Sequence, residues 1–178
     1  MMNLHGALVL THILAMVGLF STLTIEGLAV SFLRRAITYE QAREWARLWV
    51  LLPLVGAPSI LLSLASGIYL ATALDSWRAH WVAVAVPTLV VVAIAGGVTA
   101  PSRTRVRAAI GSSDDGPLPA DIRRQLRHAL HSSSWRVRTA LLLALVVDMV
   151  VTPDAAITLV VVFTVAGLAW SIPPWMKN

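Results

Sequence analysis

Three side chains inside the apolar stretches of this sequence could do chemistry: His12, Glu26 and Asp148. An ionisable group in hydrocarbon is expensive, so each is a functional candidate by default. His5, His12 and Glu26 are 7 and 14 residues apart, which at about 100° per residue keeps all three within about 60° of one another on one helix face. His12 and Glu26 are still about 21 Å apart along the axis, so they cannot share one metal or one proton. A neutral imidazole at His12 can ligate heme iron or another metal, or can simply satisfy a neighbouring hydroxyl or carbonyl. His80 is a candidate partner for His12, or else a residue of the membrane boundary. Glu26 and Asp148 come out at depths only about 5–8 Å apart. If their faces meet, one carboxylate stays protonated near neutral pH, and the pair could relay protons or act as general acid and base. Otherwise each is satisfied separately, by hydrogen bonds or by a snorkelling Arg.

Membrane-crossing helices must position these groups. Of 178 residues, 57% are hydrophobic and 13% charged, where soluble domains carry about a quarter charged. That excludes a disordered chain, a collagen-like chain and a nucleic-acid binder of the usual kind. Without Cys there is no disulfide framework, thiolate site or Cys nucleophile. A span needs about 20 apolar residues, and Leu4 to Leu33, Val50 to Leu74 and Trp81 to Ala100 each qualify. The first is not a secretory signal, because no positive charge precedes it and no small-residue cleavage site stands out. Thr139 to Ile172 has 34 residues, too long for one crossing of a core about 30 Å thick. Thr152, Pro153 and Asp154 interrupt it with a helix breaker and a capping residue. The expected fold is therefore an all-α polytopic membrane helix bundle over residues 1–178. It has five transmembrane helices, the last two being Arg136 to Val151 and Ala155 to Ile172. The alternative is four, the last long and kinked at Pro153.

Charge sets the orientation. With the N-terminus outside, 13 of the 14 basic residues fall on the cytoplasmic side, leaving only Arg78 across the membrane. Trp45, Trp49, Trp135, Trp170 and Trp175 then gather at the inner boundary, with Trp77 and Trp81 at the outer one. The preference for Arg over Lys suits a GC-rich bacterial genome, hence a bacterial cytoplasmic membrane. A basic loop is expected over 101–138. Within it, residues 111–119 read as a linker. Ile122, Leu126, Ala129 and Leu130 recur at helical spacing among Arg123, Arg124, Arg127, His128 and His131. That basic amphipathic segment suits anionic headgroups or a docking partner, with both histidines solvated. Ser59, Ser63, Ser66 and Gly67 form a small-residue packing face, and Gly96-Gly97 eases close approach. Pro53, Pro58 and Pro87 are expected to kink their helices. No GxGxxG, Walker or HExxH pattern is present.

Leu10 to Gly27 (LTHILAMVGLFSTLTIEG) resembles the first helix of an uncharacterised family of bacterial integral membrane proteins. That family is similar to the group containing the copper-resistance D membrane domain and the membrane protoporphyrinogen oxidase. Pro58 to Ala71 and Arg138 to Asp154 resemble its second and penultimate helices. In that group a His in this first-helix context is a heme ligand, and His12 matches it. The oxidase also depends on a Lys in its third helix, whereas Trp81 to Ala100 has neither Lys nor Arg. The resemblance thus implies a heme b protein, with the reaction left open. Four functions follow. One is a heme-binding redox protein serving a quinone, porphyrin or other lipid-soluble partner. The others are a proton-coupled transport module, an accessory subunit of a membrane complex, and a cofactor-free membrane enzyme with Glu26 and Asp148 as acid and base.

Overall fold

The computed structural model describes residues 3–126 and 129–151 and the isolated positions 164 and 167. The expected fifth helix, the Thr152-Pro153-Asp154 turn, Trp170, Trp175, Lys177 and His128 lie outside them. Among the described residues the chain is all-α. Three stretches are long and apolar enough to cross a membrane: Leu4–Leu33, Tyr39–Ala73 and Trp81–Gly111.

Helix α1 (Leu4–Leu33) starts at Asn3, whose side-chain oxygen accepts the Gly6 N–H at 2.8 Å. No proline interrupts its 30 residues, so it runs about 45 Å. Ala15, Leu19, Leu23, Glu26, Val30 and Leu33 are buried at three- and four-residue steps. On the other side Leu10, Leu14, Val17 and Leu28 are exposed yet apolar. A helix apolar all round with half its surface uncovered is one solvated by lipid.

The short α2 (Tyr39–Arg47), capped by Thr38, passes through a 3-10 turn (Leu48–Val50) into α3 (Leu51–Ala73). Helix α4 is His80–Gly111, α5 is Ala120–Leu126 and α6 is Ala129–Val151. The bundle is ordered α3, α1, α6, α4, with α1 packed along the length of α3, and α6 wedged against both α1 and α4. Helices α3 and α4 barely touch. The serine face of α3 meets α1 as its residue sizes require. A Cβ on Gly18 would collide with the Ser59 hydroxyl, and one on Gly56 would sit 3.1 Å from Thr22 Cγ2.

Two expectations change here. The basic segment 101–138 is mostly not a loop. Helix α4 continues past Pro101 to Gly111, so the unstructured stretch shortens to 112–119. The amphipathic α5 does not lay its apolar face on lipid either. Leu126 is buried and Ile122 partly so, against Trp49, Val106, Ile110 and Leu118. These close a small core at the arginine-rich end, where Phe32 and Trp45 stack at 4.0 Å between ring centroids. The linker is fastened by Tyr39 N–H to Gly116 O and by Leu118 N–H to Ile37 O, both at 2.9 Å. Gly116 makes that turn at φ +140°, which a side chain would strain. Arg43 secures it further through Asp115 at 3.0 Å.

The α1–α3 contact yields a stability prediction. Gly18→Leu should cost about 1–3 kcal/mol by overpacking, measured by unfolding in detergent. Gly97→Ala, with nothing within 4 Å of the new Cβ, should be neutral or up to about 1 kcal/mol more stable through helix propensity.

Candidate functional site

Glu26 is 2% exposed on the buried face of α1. Arg103 from α4 and Arg138 from α6 both donate to its Oε1, each at 2.5 Å. Arg103 Nη2 also donates to Gly96 O at 3.0 Å, and Arg138 Nε to Ser134 O at 3.3 Å. Three helices are thus tied at one buried oxygen. Gly96 serves the cluster rather than helix packing: a Cβ there would lie 3.2 Å from Arg138 Nη1. The adjacent Gly97 faces open space.

That open space is a cleft of about 710 Å³ left where α3 and α4 diverge. Its walls are apolar, with Leu23, Trp49, Ile60 and Val92 among them, and its polar end is Glu26, Arg103 and Arg138. A volume of this size is that of a small-molecule site.

Glu26 and Asp148 are not the pair that the sequence frame suggested. Helices α1 and α6 are antiparallel, and their contacts give the register. The Trp135 ring lies 3.0 Å from where a Gly27 Cβ would be. Leu19 and Leu23 pack with Leu141, Leu142 and Leu145. His12 and Met16 share a cavity wall with Val146 and Met149. Asp148, 2% exposed, therefore sits at the depth of His12 to Met16, about 15–20 Å from Glu26. The earlier depth difference of about 5–8 Å was too small because α6 starts at Ala129, seven residues before the expected Arg136. Its Arg138 end, not its middle, reaches Glu26.

His12 is half-buried and turned to α3. Its Nδ1 lies 3.0 Å from Ser66 Oγ, and its Cε1 is 3.3 Å from where a Gly67 Cβ would stand. Ser66 Oγ also reaches Leu62 O; in the tautomer where that carbonyl takes the hydroxyl proton, the imidazole donates from Nδ1 and Nε2 keeps its lone pair. That is the arrangement of a ligating histidine oriented by a second group. His12 and Met149 line two cavities together, of about 330 and 810 Å³. Among the described residues no group of three or more metal-binding side chains exists. A bare metal ion would want three or four such ligands, whereas heme needs one or two axial ones, and His with Met is an established set. His80 opens α4, and its side chain lies outside the described structure. His5 is exposed near the chain start and joins neither site.

Arg103 and Arg138 are the site residues that sequence reasoning missed. The sequence leaves a snorkelling Arg open as the partner of each carboxylate without naming which, and Arg138 starts too far from Asp148 to serve it. The available signal was their position, each just beyond an apolar run and within side-chain reach of its last turn. Comparison with protein-family models, curated proteins and solved structures finds no match for this chain.

The cluster carries an asymmetric prediction. Glu26→Gln leaves two buried guanidiniums uncompensated and should cost about 3–5 kcal/mol. Arg103→Gln leaves the Glu26–Arg138 pair intact and should cost clearly less. Unfolding of both variants in one detergent checks the order.

Proposed function

We propose that this is a bacterial cytoplasmic-membrane protein of five spans, N-terminus outside, that holds a lipid-soluble small molecule in its bundle. The observation carrying this reading is the cleft between α3 and α4, apolar along its walls and ending on a buried charge cluster. An apolar cavity with a few convergent polar groups is the form small-molecule sites take. The accessory-subunit reading does not call for such a cavity, and the transport and acid–base readings lose their shared residue pair.

A second reading, a heme b redox protein, is favoured by His12, with its Nδ1 tied to Ser66 and its Nε2 open. His12 would hold the group, with Met149 within the same cavities. When bound, heme would supply one-electron chemistry towards a lipid-soluble partner.

Purification in mild detergent, followed by solvent extraction and mass spectrometry, tests the first reading. A near-stoichiometric molecule, enriched far above its share of the bulk lipid, is expected. Gly97→Phe, which fills the cleft without a clash at its Cβ, should lose it while keeping the wild-type melting temperature. Recovery of bulk lipid alone in both proteins would contradict it. The absorption spectrum tests the second: a Soret band that His12→Ala abolishes or shifts and His131→Ala leaves alone. Orientation is tested by a Cys at Ser76, which should react with an impermeant thiol reagent in intact cells, against one at Ser113, which should not.

A further inference from the structure

The polar end of the cleft is short of negative charge. Among the described residues that line it, Glu26 is the one carboxylate, set against Arg103, Arg107 and Arg138. Arg103 and Arg138 have side chains only 12% and 6% exposed, so water does little to offset the surplus cation. An uncompensated buried charge costs several kcal/mol, and the usual remedy is a counterion. Hydrogen bonding shows the same deficit. Each guanidinium has five N–H donors, and each spends one on Glu26 and one on a backbone carbonyl. Arg103 and Arg138 both line the cleft. Arg107 stands exposed at its rim and Thr104 beside it adds a hydroxyl.

We infer that the cleft binds an amphiphile with an oxyanion head, a carboxylate or a phosphate ester, taken by Arg103 and Arg138 while its apolar tail lies between α3 and α4. This rests on the small-molecule reading above and deepens it by naming the head group. Charge complementarity is the selecting feature: guanidiniums bind planar or tetrahedral oxyanions through paired N–H donors, in a low-dielectric site where each such bond is strongest. The apolar walls select the tail. Gly97 and the α3–α4 divergence leave the lateral opening through which a membrane-dissolved molecule enters. A neutral ligand such as a quinone would leave the surplus charge in place.

Trp49 lines the cleft and reports on it. The full-length protein in phosphatidylcholine nanodiscs is titrated, at alkaline pH, with dibromostearic acid, with its methyl ester and with phosphatidic acid bearing brominated chains. The readout is the quenching that Trp49→Phe removes. Saturable quenching is expected from an oxyanion, with an apparent Kd at least about tenfold below that of the ester. Arg103→Gln, which keeps the Glu26–Arg138 pair, should erase that preference, and Arg103→Lys should restore part of it. Quenching by phosphatidic acid alone supports a lipid headgroup as the source, and by the fatty acid alone a free carboxylate. Equal affinity for acid and ester would overturn the oxyanion assignment while leaving a small-molecule cleft. Absence of saturable quenching by any of the three would overturn both. The wild-type comparison of acid with ester decides even if the Arg103 variants fail to fold.

Discussion

One carboxylate oxygen accepting from two guanidiniums, each on a different helix, is the constraint on which this bundle is organised. Glu26 could not be buried on α1 without a cation, since an unpaired carboxylate in hydrocarbon would protonate or pull the helix out of register. Arg103 can reach it only if α4 stays helical beyond Pro101. Arg138 can reach it only if α6 begins well before its apolar stretch. Gly96 fits the same contact, because a Cβ there would press on the Arg138 guanidinium at 3.2 Å. Backbone, helix length and glycine placement at this end are thus consequences of one ionic contact.

The same contact shapes the cavity. It draws α1, α4 and α6 together and leaves α3 held chiefly by α1, through Gly18 and Gly56 against Ser59 and Thr22. A helix bundle with three members locked and the fourth attached along one edge has a gap at the other edge. Because the lock has two cations and one anion, the gap ends in surplus positive charge. About 21 Å away along the axis, His12 forms a separate polar point, beside Met149.

Much of this was legible in the sequence, and the omissions share a cause. The first span was placed to the residue, and the second to within one residue at each end, because hydropathy reports the bilayer directly. The small-residue face of α3 was legible for the same reason. What hydropathy misreads is charge at a helix end. It treats Arg103 and Arg138 as the start of water, whereas arginine carries its charge several bonds from the backbone and can turn it back into the bundle. The depth of Asp148 went wrong through the same error, since the true start of α6 lies inside what looked like a basic loop. The apolar face of α5 was recognised as such, but its cover could not be read locally. It packs on Val106 and Ile110 of an α4 extension that composition had assigned to the loop. Pairings between helices distant in sequence are tertiary facts, and periodicity within one helix does not contain them.

The most direct measurement is solid-state NMR of the protein in lipid bilayers, with 13C-labelled glutamate and 15N-labelled arginine side chains. The chain has only three glutamates, Glu26, Glu40 and Glu44, so the carboxyl carbons are resolvable. The predicted result is a Glu26 Cδ with dipolar contacts to the guanidinium nitrogens of two arginines, one of which disappears in Arg103→Gln. A Glu26 carboxyl that shows no contact to any guanidinium nitrogen would contradict the shared-carboxylate lock and the cleft built on it.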